Sequence, residues 1–324
     1  MPNPILVELT RGPLVESVHR GAVAIADATG AIRFSLGDIE TLTYSRSSLK
    51  PMQAIPLVES GAADAFGLSG EEIALACASH SGEPMHTERV AAWLARIGCT
   101  ESDLACGAHP SRYEPVAEAM IRAGAKPTRI FNNCSGKHTG FLTVARHWDI
   151  ATEGYERVDH PVQQAVAAAL KTLTGAQELV FGIDGCAAPN FATSVADFAR
   201  AAARMTGMDV GRRILTAMIA HPEMISGTGR ACATLIRAGG EEVSVKIGAE
   251  GFFGGWLPER GLGIAIKIDD GAGRASETAM AAVLDGLGLL GDGARGLLRG
   301  AVLNTRGTVV GERRPAAALA KIAV

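Results

Sequence analysis

A serine and a lysine lie three residues apart where strand-like spacing gives way to helical spacing. Ser47 and Lys50 belong to the segment RSSLKP. On a helix this spacing puts both side chains on one face, so the lysine amine can accept the serine proton and activate a nucleophile. A helix-capping serine followed by a solvated lysine has the same spacing. The S-x-x-K pattern alone therefore leaves both interpretations open.

Two later segments supply a second serine and a second lysine. Ser79 lies in the small polar loop CASHSG, and Lys246 lies in VKIG, within strands that return towards the C-terminus. Serine β-lactamases and penicillin-binding proteins have this order: S-x-x-K at the head of a helix, a serine in a helical domain, and K-[ST]-G on an edge strand. The chain departs from that pattern at Ile247 and lacks S-D-N, which argues against a penicillin substrate.

Two cysteines lie in turn-like segments rich in glycine and small polar residues. Cys134 belongs to NNCSGKH and Cys186 to IDGCAAP, whereas most of the other cysteines have apolar neighbours. The two could form a metal pair, a redox pair, or a cysteine nucleophile that works with His138. Because C-x-x-C is absent, spacing alone does not choose among these roles.

The order of predicted elements indicates how these residues are positioned. Strand-like alternation fills the first 45 residues, and strands return from about Val243 before a C-terminal helix. Helices are predicted between these parts, near 48–60, 85–98, 113–123, 138–148, 159–173 and 208–220. This order predicts an α+β fold like that of serine β-lactamases and penicillin-binding proteins, with an antiparallel sheet from both chain ends and an inserted, mainly helical domain. We expect the sheet domain at 1–45 plus 225–324, the insertion at 46–224, and the active site between them.

Composition narrows the classes of function. The 324 residues are 47% hydrophobic and 20% charged, with a net charge of −3. No basic run suits a phosphate backbone or an anionic membrane surface, so we expect no nucleic-acid or membrane partner. The sequence begins without a secretory pattern and has no apolar run of membrane-spanning length, which predicts a cytoplasmic protein.

Eight segments together resemble one enzyme family. They are RSSLKP, CASHSGEPMH, CGAHPS, NNCSGKHTG, DHPVQ, IDGCAAPNF, HPEMISGTGR and VKIGAEG. In this order they resemble the rhizobial-type L-asparaginases, from about residue 8 to about 270. The resemblance implies a serine β-lactamase-like fold, a homodimer, and hydrolysis of the side-chain amide of L-asparagine to L-aspartate and ammonia. It also implies two Ser–Lys pairs, Ser47 with Lys50 and Ser79 with Lys246.

The resemblance further implies one zinc ion per chain, near the site but not the direct catalyst. Three residues are implied as its ligands: Cys134, Lys137 and Cys186. Asparagine also presents an α-carboxylate and an α-ammonium group, which need partners of opposite charge. Arg46, His138 and Asp184 adjoin the matched segments, and we expect them to bind these groups.

The expected mechanism uses both pairs. Ser47 attacks the amide carbonyl, Lys50 accepts its proton, and Ser79 with Lys246 relays a proton to the leaving ammonia. A lysine must be neutral to act as a base, and two lysines in one site disfavour each other's protonation. Alternatives are another Ser–Lys amidase, such as a glutaminase or a penicillin-recognising acylase, and a zinc- or redox-regulated binding protein without amidase activity.

Overall fold

The structure is a computed structural model that describes residues 2–322. The chain folds into two compact units. The first, the sheet unit, comprises the residues up to Ser48, Thr193–Gly207 and the residues from Thr234 onward. The second, the helical unit, comprises Leu49–Ala192 and Met208–Ala233. Each unit is described by itself below.

The strands are β1 (Ile5–Arg11), β2 (Leu14–Asp27), β3 (Ile32–Leu36), β4 (Thr43–Tyr44), β5 (Phe181–Ile183), β6 (Pro189–Thr193), β7 (Ser244–Ile247), β8 (Phe252–Leu257), β9 (Leu262–Ile268), β10 (Gly300–Leu303) and β11 (Val309–Pro315). The α-helices are α1 (Lys50–Gln53), α2 (Ile55–Glu59), α3 (Ala62–Ala65), α4 (Gly70–Ala76), α5 (Pro84–Arg96), α6 (Glu114–Arg122), α7 (Ser135–His147), α8 (Pro161–Thr174), α9 (Val195–Thr206), α10 (Asp209–Ala220), α11 (Pro222–Ser226), α12 (Ala231–Ala238), α13 (Gly273–Gly286) and α14 (Arg295–Leu298).

The sheet unit is built on an antiparallel sheet of strands from both chain ends. Within residues 2–322 the strand order is β10-β11-β1-β2-β9-β8-β7, and β3 also pairs with β2. The N-terminal strand β1 lies between β2 and the C-terminal strand β11. The α+β architecture with a sheet shared by the two ends of the chain is therefore confirmed.

Helix α9 packs on the sheet against β2, β8 and β9. The run 22–26 of β2 is buried without alternation, so both faces of that strand are covered. Gly263 permits the close approach of α9, because a Cβ there would lie 2.2 Å from the carbonyl oxygen of Ala199. The sequence analysis placed the residues of α9 in the helical insertion, whereas they belong to the sheet unit.

The helical unit surrounds α7, which is buried along residues 135–145. Gly136 lets α7 approach α4, because a Cβ there would lie 2.4 Å from the Leu75 carbonyl oxygen. Thr139 and Thr143 are buried in this helix. Each hydroxyl donates a hydrogen bond to the backbone carbonyl oxygen one turn earlier. A helix that is buried on all sides can thus carry polar residues into the core.

Most predicted helices are confirmed: α5, α6, α7, α8 and α10 begin and end within three residues of the expected positions. The predicted helix 48–60 is divided into a 3₁₀ turn at Arg46–Leu49, then α1 and α2. Pro56 lies in the first turn of α2, where its missing N–H costs no helical hydrogen bond. The hairpin β10–β11 was not predicted. Among the described residues, no helix has both the length and the apolar character that crossing a membrane requires.

Candidate active site

Lys50 is the centre of a buried polar cluster in the helical unit. It begins α1 and is 0% exposed. Its Nζ donates to the carbonyl oxygen of Ala78 at 2.5 Å, to Ser79 Oγ at 3.0 Å and to Cys134 Sγ at 3.1 Å. Three acceptors match the three N–H groups of an ammonium. To serve as a base, Lys50 must give up one of these protons.

The loop that carries Ser79 is fixed to the start of α7. The His80 N–H donates to the Asn133 carbonyl oxygen at 3.2 Å. The Gly82 N–H donates to His80 Nδ1, so in the neutral ring Nε2 carries the proton and donates to Ser135 Oγ at 2.9 Å. These bonds hold Ser79 beside the residues that begin α7.

Cys134, Lys137 and Cys186 form a second buried cluster next to the first. Lys137 Nζ donates to Cys186 Sγ at 3.1 Å, and both cysteines are 4% exposed. A hydrogen bond from Cys134 stabilises the Cys186 thiolate, and with the Lys137 charge it lowers the pKa of Cys186 to about 4. The same hydrogen bond and burial raise the pKa of Cys134 to about 12. Burial opposes the ammonium form of Lys137, but the neighbouring cysteines outweigh it and raise its pKa above the usual range.

His138 is fully buried beside this cluster. The Tyr155 hydroxyl accepts from the Ala105 N–H and donates to His138 Nδ1 at 2.6 Å. Burial, reinforced by the Lys137 charge, lowers the pKa of His138 to about 3, so the ring is neutral. Its Nε2 has no hydrogen-bond partner among the described residues. Sequence reasoning did not find Tyr155, because no motif marks it.

Asp184 and Cys186 belong to one tight turn after β5. The Asp184 N–H donates to the Ala188 carbonyl oxygen at 2.9 Å, and the Ala187 N–H donates back to Asp184 at 2.9 Å. Asp184 lies near enough to Lys137 to help raise its pKa. The predicted residues Lys50, Ser79, Cys134, Lys137, His138, Asp184 and Cys186 thus all belong to the helical unit.

The segment that carries Ser47 belongs to the sheet unit and is docked on β7. Ser48 is buried, and its Oγ donates to the Lys246 carbonyl oxygen at 2.8 Å. Gly248 follows β7, and a Cβ there would lie 2.6 Å from the Ser45 carbonyl oxygen. Ser47 therefore lies in a segment that packs on the strand of Lys246.

Two further predicted residues belong to the same unit. Lys246 is 0% exposed, and its Nζ donates to the Ile247 carbonyl oxygen at 2.6 Å. Arg46 has a φ of 51°, a left-handed conformation that is uncommon outside glycine. Of the four predicted catalytic residues, Ser47 and Lys246 thus belong to the sheet unit, and Ser79 and Lys50 belong to the helical unit. The pairing of Ser47 with Lys50 and of Ser79 with Lys246 stays a prediction.

Comparison with protein families gives these clusters their context. The family model of L-asparaginase II matches residues 7–315, which is most of the chain. The chain belongs to the L-asparaginase II family. A member of the L-asparaginase II family is a hydrolase that acts on amides of small molecules, so the predicted family and enzyme class are confirmed.

Solved structures are similar to this L-asparaginase II family member at low identity. An octameric penicillin-binding protein homologue from Pyrococcus abyssi is 12% identical, with a TM-score of 0.42, over 82% of this chain and 73% of that one. A candidate beta-lactamase from Bacteroides dorei is 13% identical, with a TM-score of 0.41, over 76% and 84%. A beta-lactamase from Mycobacterium bovis is 14% identical, with a TM-score of 0.36, over 82% and 94%. No curated protein sequence matches the chain.

Proposed function

We propose that this L-asparaginase II family member hydrolyses the side-chain amide of L-asparagine to L-aspartate and ammonia through an acyl-enzyme. The observation that carries the proposal is the contact between the buried Lys50 Nζ and Ser79 Oγ at 3.0 Å. This contact joins the proposed base, Lys50, to the serine that would relay its proton to the leaving nitrogen. The same amine also holds the loop through the Ala78 carbonyl oxygen, and its contact with a serine hydroxyl suits proton transfer.

In the proposed first step, the Ser47 oxygen attacks the amide carbon. Its proton passes to neutral Lys50, the C–N bond of the tetrahedral intermediate breaks, and a proton moves to the departing nitrogen so that ammonia leaves. Ser79 is hydrogen-bonded to Lys50 and would carry that proton to the nitrogen. Lys246 would be the second lysine that exchanges protons with Ser79. Water then attacks the ester, and aspartate leaves as Ser47 regains its proton.

The proposed substrate contacts are Arg46, His138 and Asp184. The unpartnered Nε2 of His138 supports this, because the neutral ring leaves a buried N–H without an acceptor. A substrate oxygen would satisfy that donor. Asp184 supplies the negative charge that the α-ammonium group of asparagine requires.

We also propose that Cys134, Lys137 and Cys186 hold one zinc ion. The described residues include no cluster of three or more His, Cys, Asp and Glu arranged for a metal, and the proposed set has only two such residues. The donors nevertheless fit, because zinc accepts sulfur and nitrogen ligands and the lowered pKa of Cys186 favours its thiolate. Lys137 is an ammonium and must lose a proton to bind. Bound zinc would supply a fixed positive charge beside Lys50 and order the pocket.

A substrate panel tests the proposed function. Asparagine, glutamine and a chromogenic β-lactam are incubated with the protein, and ammonia or ring opening is measured. Ammonia from asparagine, well above that from glutamine, is expected. Preference for glutamine would indicate a glutaminase, and β-lactam turnover a penicillin-recognising acylase. Absence of ammonia from every amide would favour the zinc- or redox-regulated binding protein.

We further propose that the protein works as a homodimer in the cytoplasm. All six cysteines are buried and none forms a disulfide, as is usual in a reducing compartment. The dimer rests on the family resemblance alone. Light scattering should give the mass of two chains, and the mass of one chain would contradict the dimer.

A further inference from the structure

Two arginines of the helical unit, Arg112 and Arg230, come close together without a role so far. Arg112 directly follows the segment CGAHPS, and Arg230 ends the segment HPEMISGTGR. Desolvation and the nearby Arg230 charge lower the pKa of Arg112 below its usual range, while the residue as a whole stays exposed. Within residues 2–322, neither guanidinium has a carboxylate partner. Two neighbouring guanidinium groups without a carboxylate partner favour the binding of an anion between them.

Arg112 is attached to the loop that carries Ser79. Its backbone N–H donates to the Ser81 carbonyl oxygen at 2.7 Å, and the Ser111 hydroxyl donates to the same oxygen at 2.8 Å. The Arg112 charge lies near both Cys134 and His80. Lys50 also donates to Cys134, so the Arg112 charge acts on a residue of the Lys50 cluster.

Arg230 is attached to the same loop from the other direction. Glu83 accepts hydrogen bonds from the Thr228 N–H at 2.9 Å, from the Thr228 hydroxyl at 2.7 Å and from the Ser81 hydroxyl at 2.5 Å. The Arg230 N–H donates to the Gly227 carbonyl oxygen at 3.3 Å, which closes the turn on this anchor. The Ser81–Glu83 segment, which follows Ser79 closely in the chain, therefore holds the backbone at Arg112 and the turn that leads to Arg230.

We propose that Arg112 and Arg230 bind the α-carboxylate of the substrate. The inference rests on the proposed function and adds to Arg46 a pair from the unit that holds Ser79. A guanidinium presents two parallel N–H donors that match a carboxylate, and hydrogen bonds between charged groups are stronger than neutral ones. A carboxylate between the two arginines would also remove their mutual repulsion. The pair would then select amides that carry an α-carboxylate.

The test compares L-asparagine with β-alaninamide, which is asparagine without its α-carboxylate. Arg112→Gln and Arg230→Gln are measured with both compounds, and Arg122→Gln on the exposed face of α6 is the matched control. We expect each site variant to lose about 10- to 100-fold in kcat/KM for asparagine, the range of one charged hydrogen bond. We expect kcat/KM for β-alaninamide to stay within about 2-fold, and the control to behave as wild type.

An equal loss on both compounds would overturn the proposal, because it would indicate a structural or catalytic role. Unchanged kinetics on asparagine would overturn it as well. If the wild type releases no ammonia from asparagine, the proposed function fails, and the arginine pair is tested by calorimetric titration with L-aspartate. Weaker aspartate binding by Arg112→Gln and Arg230→Gln would then support the pair. Equal binding by variants and wild type, or none by any of them, would overturn it.

Discussion

Adjacent serines in the sheet unit, Ser47 and Ser48, have different expected roles. Ser48 is buried and donates to the Lys246 carbonyl oxygen, whereas Ser47 is the proposed nucleophile. Ser47→Ala should reduce ammonia release by about 1,000-fold or more and leave the urea midpoint unchanged. Ser48→Ala should keep most of the turnover and lower the free energy of unfolding by about 1 kcal/mol, because it loses one buried hydrogen bond. Near-normal turnover by Ser47→Ala would refute the assignment.

The buried cysteines differ in whether they can hold a metal. We expect metal analysis of the purified protein to find about one zinc per chain, the stoichiometry of a single structural site. The double variant Cys134→Ser, Cys186→Ser should lose it, whereas Cys99→Ser, outside the cluster, should retain it. Zinc affinity should rise with pH, because Lys137 must release a proton to bind. Stoichiometric zinc in the double variant would show that other residues are the ligands.

For single residues, the sequence predicted which side chains belong to the candidate site, but it did not predict which of them contact each other. S-x-x-K, the serine loop and the cysteines all signalled reactive side chains. The contact of Lys50 with Ser79 joins residues 29 positions apart, and no local spacing encodes it. Tyr155, which fixes the His138 ring, could not be found for the same reason, since it belongs to no motif.

The turn at Gly227 provides a prediction for the element that carries Arg230. Gly227 has a φ of 108°, and a Cβ there would lie 2.0 Å from Ser81 Oγ and 2.4 Å from Glu83 Oε1. Gly227→Ala should lower the free energy of unfolding by more than about 2 kcal/mol, from strain and steric overlap together. Gly229 has a φ of 68° with open space around it, so Gly229→Ala should cost about 1 kcal/mol. Urea unfolding measures both changes. An equal loss of unfolding free energy in the two variants would contradict the prediction, because it would mean that the side chains around Gly227 move aside without strain.

Local spacing determines an element well, but not the unit to which it belongs. The periodicity of α5 and α10 is strong, and both were predicted. Helix α9 also has helical spacing, yet its place on the sheet depends on the approach that Gly263 permits. A short N-T-R-G turn connects β10 to β11, and the strand that pairs with β11, β1, lies at the other end of the chain. Such long-range pairing leaves little mark on the local sequence.

For the whole molecule, the buried neutral histidines predict loss of stability in acid. Burial lowers the pKa of His86 to about 4 and that of His80 well below the usual range. The unfolded chain binds protons at these sites below about pH 6.5, whereas the folded chain does not, so stability should fall as the pH drops from about 6.5 to 4. His86 alone accounts for a loss of about 3 kcal/mol across that range.

Urea unfolding at several pH values measures this loss. His86 accepts from the Glu83 N–H and donates to the Glu223 carbonyl oxygen, and a glutamine can replace both bonds without titrating. His86→Gln should therefore show a shallower dependence of unfolding free energy on pH between 6.5 and 4. A slope equal to that of the wild type would contradict the assignment of the loss to His86.

On the ribosome, β1 is completed long before its neighbour β11 exists. Val7 pairs with Pro315, so almost the whole chain must be made before this pairing can form. At a synthesis rate of about 5–20 residues per second, roughly 15–60 s separate the two strands. During that interval β1 has an unpaired edge, which is the kind of edge that recruits strands from other chains. Until β11 emerges, the open edge of β1 is therefore a place where nascent chains can associate, and chains that terminate before β11 keep that edge unpaired.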